Sequence, residues 1–220
     1  YNKAIFEKVF LKFAIRVTEM FRDPEFFKVL NTQVLNQLHD KPSIKIWHAG
    51  CSSGEEVYSM AILLKEHDLL HKTQLYATDF NHIDLEIGRK GIYDTQHLDL
   101  YESNYIKAGG KHSLSDYYTL NANGFTFEED LRKHILFANH NLAMDSIFGE
   151  MNIIICRNVL IYFSRDLQNK VVSLFTNSLI PKGYLCLGSK ETLSFSKVSD
   201  YFKPIEKQWK VFKYIKVAKT

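Results

Sequence analysis

The chain has 220 residues, 45% of them apolar, with 28 basic and 25 acidic side chains and a net charge of +3. This length and composition give one well-buried domain with a small appendage, and exclude a disordered chain. The near balance of charge excludes a general nucleic-acid footprint, and no apolar run reaches the roughly 18 residues of a membrane span.

Cys51, Cys156 and Cys186 are odd in number, widely spaced and set in apolar strands or strand ends. They support neither a disulfide framework nor a zinc knuckle, and point to a reducing cytosol. No signal-peptide pattern opens the chain. It begins at Tyr1, without an initiator Met, directly in an amphipathic pattern (Ile5, Phe6, Val9, Phe10, Phe13). That start suggests a piece of something longer, with an N-terminal region preceding it. Residues 1–15 read as a helix or its remnant. Thr18 to Pro24 supplies a cap-like Thr, a charged turn and a Pro before a second helix, Glu25 to Leu38, whose buried face is Phe26, Phe27, Leu30, Val34, Leu35 and Leu38.

After the loop 40–43, an apolar strand, Ile44 to Ala49, breaks at Gly50 and Gly54 and re-enters as a helix to about Glu66, with Val57, Met60, Ala61 and Leu64 on its packed face. Strand, glycine turn and helix are where α/β proteins bind cofactors, because glycine leaves no side chain between main chain and ligand. Glu55 and Glu56 fill the first turn of that helix. A helix N-terminus favours anions; one already carrying two carboxylates suits a cationic ligand such as S-adenosylmethionine better than a dinucleotide pyrophosphate. The plain alternative is that the two acids complement the helix dipole, with Ser52 or Ser53 as cap.

A second strand, Gln74 to Thr78, ends in Asp79, and a helix of about Ile83 to Lys90 follows. An acid at this point holds a nucleoside ribose in Rossmann-like folds; the alternative for Asp79 is an N-cap. From Tyr93 to about His134 the α/β rhythm lapses. Asn123-Gly124, between the β-formers of residues 117–127, signals a hairpin, and an insertion of this length is usually functional. Ile135 to Ala138 resumes the sheet, and Met151 to Cys156 is suited to a central parallel strand. A helix from Asp166 to Leu179 comes next, then a turn at Pro181 to Gly183 into a strand at Tyr184 to Leu187. Two β runs between Tyr201 and Val217 form a closing hairpin. The nine histidines show no metal-like or triad spacing, so no metal is expected.

Taken together, the motifs VTEMFRDPEFF, AGCSSGEEVYSMA, ATDF, GIY, NL at 141–142, ICRNVLIYF and KGYLCLG resemble, in order, those of the CheR-type chemotaxis methyltransferases. The resemblance implies a Rossmann-like methyltransferase fold of the α/β class: a mostly parallel sheet, a terminal antiparallel hairpin and a small inserted β subdomain at about 93–134. Residues 1–40 would be the remnant of a helical N-terminal domain, and 41–220 the methyltransferase domain. It implies S-adenosylmethionine as cofactor, with S-adenosylhomocysteine as product, lined by Thr18, Arg22, Glu56, Asp79, Asn141, Leu142, Asn158 and Val159, with Ala49 and Gly50 beneath. Glu55 joins this set from the charge argument. Arg22 and Tyr162 would face the methyl group as catalytic residues; the plain alternatives for Arg22, Asn158 and Tyr162 are an ion pair, a strand-end turn and a core tyrosine.

The implied reaction is methylation of glutamate carboxylates in chemoreceptor cytoplasmic domains, in the cytoplasm, with a receptor tail peptide as a further partner of the β subdomain. A carboxylate is already the nucleophile at neutral pH, so no general base is required, and catalysis rests on in-line positioning and water exclusion. The competing readings are a non-catalytic S-adenosylmethionine-binding or docking module and a methyltransferase of another acidic protein. Two positions depart from the family pattern, Arg16 where Asn is usual and His48 where a small residue is common.

Overall fold

The structure, a computed structural model, describes residues 18–144 and 148–215. The helix expected over 1–15, and Arg16, lie outside them. Seven strands form one sheet: β1 (Ile44–Ala49), β2 (Thr73–Asp79), β6 (Ile135–Asn139), β7 (Met151–Cys156), β8 (Leu179–Leu187), β9 (Phe202–Glu206) and β10 (Val211–Tyr214), in the order β6-β2-β1-β7-β8-β10-β9. The first five are parallel, with Ile46 opposite Leu75 on one side and Ile153 on the other; β10 and β9 close the edge antiparallel.

Alternation along these strands divides the core. Ile44 and Ile46, Ile153 and Ile155, and Tyr184 and Cys186 face one layer, while Trp47 and Ala49, Ile154 and Cys156, and Leu185 and Leu187 face the other. Central strands covered on both faces must be apolar throughout, and β7 is buried at all six positions. Helices α2 (Glu55–Glu66) and α3 (His82–Lys90) follow β1 and β2, and α6 (Arg165–Ser178) precedes β8 and packs Val171, Val172 and Phe175 into the second layer.

The N-terminal segment leads into a helical path of three pitches: α1 (Pro24–Val29), a π-turn (Leu30–Val34) and a 3-10 turn (Leu35–Leu38). All six residues expected on its inner face are buried. Thr18 does not cap it; its N-cap is Asp23, at φ 58° and with no side-chain capping bond.

Where the sequence suggests one packed face on α2, every residue from Val57 to Leu64 is buried. The N-terminal segment and the insertion cover its outer side: the Phe21 N–H donates to Ser59 Oγ at 2.9 Å, and Tyr58 stacks on Phe127 with ring centres 4.2 Å apart.

The insertion contains a three-stranded antiparallel sheet of β3 (Ile92–Tyr93), β4 (Tyr118–Asn121) and β5 (Gly124–Phe127), in the order β3-β5-β4. It also holds α4 (Leu98–Lys107) and the short α5 (Glu129–Arg132), which the tyrosine-rich sequence did not announce. The hairpin forms one residue early, since Asn121 pairs with Gly124 and the loop is Ala122 and Asn123. Gly124 is taken up by a close approach instead: a Cβ there would lie 2.0 Å from the Tyr93 carbonyl oxygen.

Strand β8 also departs from expectation by starting at Leu179 and passing through Pro181. Pro181 and Lys182 are exposed, Lys182 has φ 65°, and the β7–β8 register shifts at Met151/Ile153, so a bulge absorbs the residue that cannot donate.

Candidate active site

The chain runs from β1 outward to β2 and β6 on one side, then returns to place β7 on the other side of β1. The carboxyl ends of β1 and β7 are therefore the topological switch point, where such sheets bind ligands. Ala49, Gly50, Asp79, Asn141, Leu142, Asn158 and Val159 all lie at or just past the ends of β1, β2, β6 and β7. The loops after β1 and β7 touch: a Cβ on Gly50, which has φ 82°, would sit 2.5 Å from Cγ2 of Val159. Only glycine allows that approach.

Asp79 does not cap the next helix; Asn81 does, accepting from the Ile83 N–H at 3.1 Å. The Asp79 carboxylate accepts from the backbone N–H of Ser52 and of Asn81, each at 2.9 Å, and so ties the glycine turn to the end of β2. Each carboxylate oxygen has a further lone pair for a ribose hydroxyl. Neither Ser52 nor Ser53 caps α2, whose N-cap is Gly54 at φ 94°. Ser53 Oγ donates to both oxygens of Glu55, at 3.0 and 2.8 Å, and Thr18 adds another hydroxyl.

Burial raises the pKa of both Glu55 and Asp79, against these bonds and helped by the charge of Asp84. Among the described residues neither has a salt-bridge partner. The Cys51 thiol between them is pushed up by its burial and then by the charges of Asp79, Glu56 and Glu55. The glycine turn is thus a buried cluster of acidic groups, whose charged forms a nearby sulfonium would favour and a pyrophosphate would disfavour.

Glu56 faces a different set of partners. Its Oε1 lies 3.1 Å from His48 Nδ1 and its Oε2 accepts from Arg157 at 3.0 Å; burial raises its pKa, but the His48 and Arg157 contacts outweigh that and leave it below the usual carboxylate value. Arg157, 7% exposed, also pairs with Asp23, donates to the Arg22 carbonyl at 3.2 Å and lies over the Phe26 ring. His48, fully buried on β1, thus helps to hold Glu56 in place.

The same network fixes the segment that carries Arg22. Phe21 and Asp23 on either side are both left-handed, at φ 51° and 58°. Such strain persists where surroundings enforce it, and here the Ser59 bond and Arg157 do so.

Beyond β7, Asn158 is left-handed at φ 60° and Tyr162 ends a 3-10 turn with half its surface exposed, so it is not a core tyrosine. Asn141 Oδ1 accepts from the Ala143 N–H at 3.0 Å, and Leu142 is buried in the second core layer. Two participants were missed from sequence: Arg157, inside the ICRNVLIYF motif, and Glu191, 32 residues past Val159. Among the described residues, no group of three or more His, Cys, Asp or Glu is placed to hold a metal, and no helix is long and apolar enough to cross a membrane.

A doubly wound sheet with buried acids gathered at its switch point defines a Rossmann-like domain, the class that holds nucleoside-bearing cofactors there. The chain belongs to the CheR methyltransferase family, whose SAM binding domain matches residues 16–211. Cher3 of Pseudomonas putida is 46% identical over 213 residues, 97% of this chain and 78% of that protein. The chemotaxis protein methyltransferase of Borreliella burgdorferi is 34% identical over 206 residues, 88% of this chain and 70% of that protein. Among solved structures, the glycopeptide N-methyltransferase MtfA complexed with sinefungin covers 78% of this chain and 50% of its own at 11% identity, with a TM-score of 0.47.

Proposed function

We propose that this chain transfers a methyl group from S-adenosylmethionine to glutamate carboxylates of chemoreceptors, in the cytoplasm, as part of chemotactic adaptation. The observation that carries the cofactor is the pair of buried acids at the glycine turn, Glu55 and Asp79, which have no salt-bridge partner among the described residues. Asp79 takes the ribose hydroxyls, Glu55 and Glu56 supply the negative field, and Asn141, Leu142, Asn158 and Val159 line the remaining walls. S-adenosylmethionine supplies an electrophilic methyl group, and the substrate carboxylate, ionised at neutral pH, needs no proton removed. Arg22 orients that carboxylate and Tyr162 borders the attack path. Residues 41–220 are the methyltransferase domain, and 1–40 the end of a helical one.

The second partner is a receptor tail peptide added as a strand to β4. This reading is supported by the position of β4 at the outside of its sheet and by Leu120, 62% exposed on it. Incubation with methyl-labelled S-adenosylmethionine and receptor fragments tests the whole reading. Label released by base as methanol is expected; label stable to base rules out a glutamate ester.

A further inference from the structure

Glu191 lies past the end of β8, in a loop that no motif singled out, and its side chain is turned into the protein: the residue is 5% exposed. Oε1 accepts from the backbone N–H of Val159 at 2.9 Å and of Leu160 at 2.7 Å; Oε2 accepts from Gly188 at 2.6 Å, and the Asn158 N–H contributes as well. Gly188 is where the two loops meet, because a Cβ there would come within 2.9 Å of both the Asn158 nitrogen and Glu191 Oε2.

The bonded segment is no ordinary turn. Asn158 is left-handed, a conformation that Asn adopts more readily than other non-glycine residues, and Glu191 fixes the turn there by capturing the N–H groups around and after it. Val159, held in this way, reaches across to Gly50, and Tyr162 follows in the same 3-10 turn. Burial raises the Glu191 pKa against its four N–H bonds, so the carboxylate depends on those bonds where it is buried.

We propose that Glu191 is a positioning residue for the methyl-transfer reaction, acting through the backbone of residues 158–160 to set the wall that Asn158 and Val159 present to the cofactor. The inference rests on the cofactor reading above. Glu191→Gln replaces one acceptor oxygen with an NH2 group that faces backbone donors, so the turn relaxes. S-adenosylhomocysteine should then bind at least about tenfold more weakly by calorimetry, the effect of one lost charged hydrogen bond. The KM for S-adenosylmethionine should rise in parallel while the KM for receptor fragments stays put. A purely structural role would lower the melting temperature and the active fraction but leave Kd and KM unchanged, and that result overturns the proposal. Glu191→Asp keeps the charge but falls short by one methylene; it should fold and bind with intermediate affinity, and wild-type Kd in this variant also overturns the proposal, even if Glu191→Gln fails to fold. Wild-type protein that binds no S-adenosylhomocysteine overturns the cofactor reading itself, a separate outcome.

Discussion

Arg157 and Glu56, 101 residues apart in the chain, meet at 3.0 Å beneath the glycine turn. The guanidinium side chain is 2% exposed and also serves Asp23, so its removal leaves two carboxylates short of a cation. Breaking a buried pair from one side typically costs about 3–5 kcal/mol. Arg157→Met should lose stability on that scale in urea denaturation, and Arg157→Lys should restore little, because an ammonium lacks the planar fork that spans both partners. Adding Glu56→Gln to Arg157→Met should cost less than the sum of the single changes, by about 0.5–3 kcal/mol; strict additivity would show that the two do not interact.

Asp79→Ala removes the acceptor for the Ser52 and Asn81 N–H groups together with the proposed ribose partner. S-adenosylhomocysteine should bind more weakly by about 1–3 kcal/mol, and the free protein should also melt earlier. Asp79→Asn separates the roles, because its carbonyl still accepts from one N–H. Nicotinamide dinucleotide binding as well as S-adenosylhomocysteine would contradict the charge reading of the site.

For Arg22 the structure sharpens the expectation. The bonds that fix its segment come from the Phe21 N–H, the Arg22 carbonyl and the Asp23 carboxylate. Arg22→Ala retains these three, so it should still fold and lose most single-turnover methylation per folded molecule, with Arg22→Lys a poor rescue. Near-wild-type turnover by Arg22→Ala removes this residue from the catalytic set.

The carboxylates respond to pH with opposite signs. Glu56 has a lowered pKa in the folded protein, so its contribution to stability is present above the ordinary carboxylate value and is lost as pH falls through the folded one. Glu55 and Asp79 are raised, so the native state holds their protons more tightly than the unfolded chain; their contribution is largest in acid and is lost as pH rises through their folded values. A sulfonium favours their charged forms. At mildly acidic pH, binding of S-adenosylmethionine should therefore release protons, and binding of S-adenosylhomocysteine fewer, as measured by calorimetry in buffers of different ionisation enthalpy. Equal release by the two ligands would place the positive charge elsewhere.

The glycine turn, Asp79 and the apolar run of β7 were legible because each is a local signal: a backbone requirement, a strand end, a buried strand. Arg157 was not, because nothing near it in sequence predicts that Asp23 and Glu56 converge on it; only the return of the chain to β1 brings them together. Glu191 was hidden for a second reason, since its partners are main-chain N–H groups, which carry no sequence signature. Asn123-Gly124 shows a third: the glycine announces a turn by propensity, but the Tyr93 carbonyl claims it for a close approach. Helix α4 escaped notice because only Tyr101, Asn104 and Tyr105 of its ten residues are buried, too few to set an apolar period.

The return of the chain to β1 also has a bearing on how the molecule comes into being. The Lys45 N–H on β1 donates to Asn152 Oδ1 of the β7 strand, 107 residues later, so a growing polypeptide exposes one flank of β1 until β7 has been made. Pairings over such separations form slowly, because loop closure comes before any gain from contact. Until β7 pairs with it, that flank of β1 is an unpaired sheet edge, the kind of edge to which other chains can add. The switch point lies on that seam, so the binding site comes into existence only as β7 docks beside β1, and a ligand added to refolding protein should stabilise the final product while leaving the early steps unchanged.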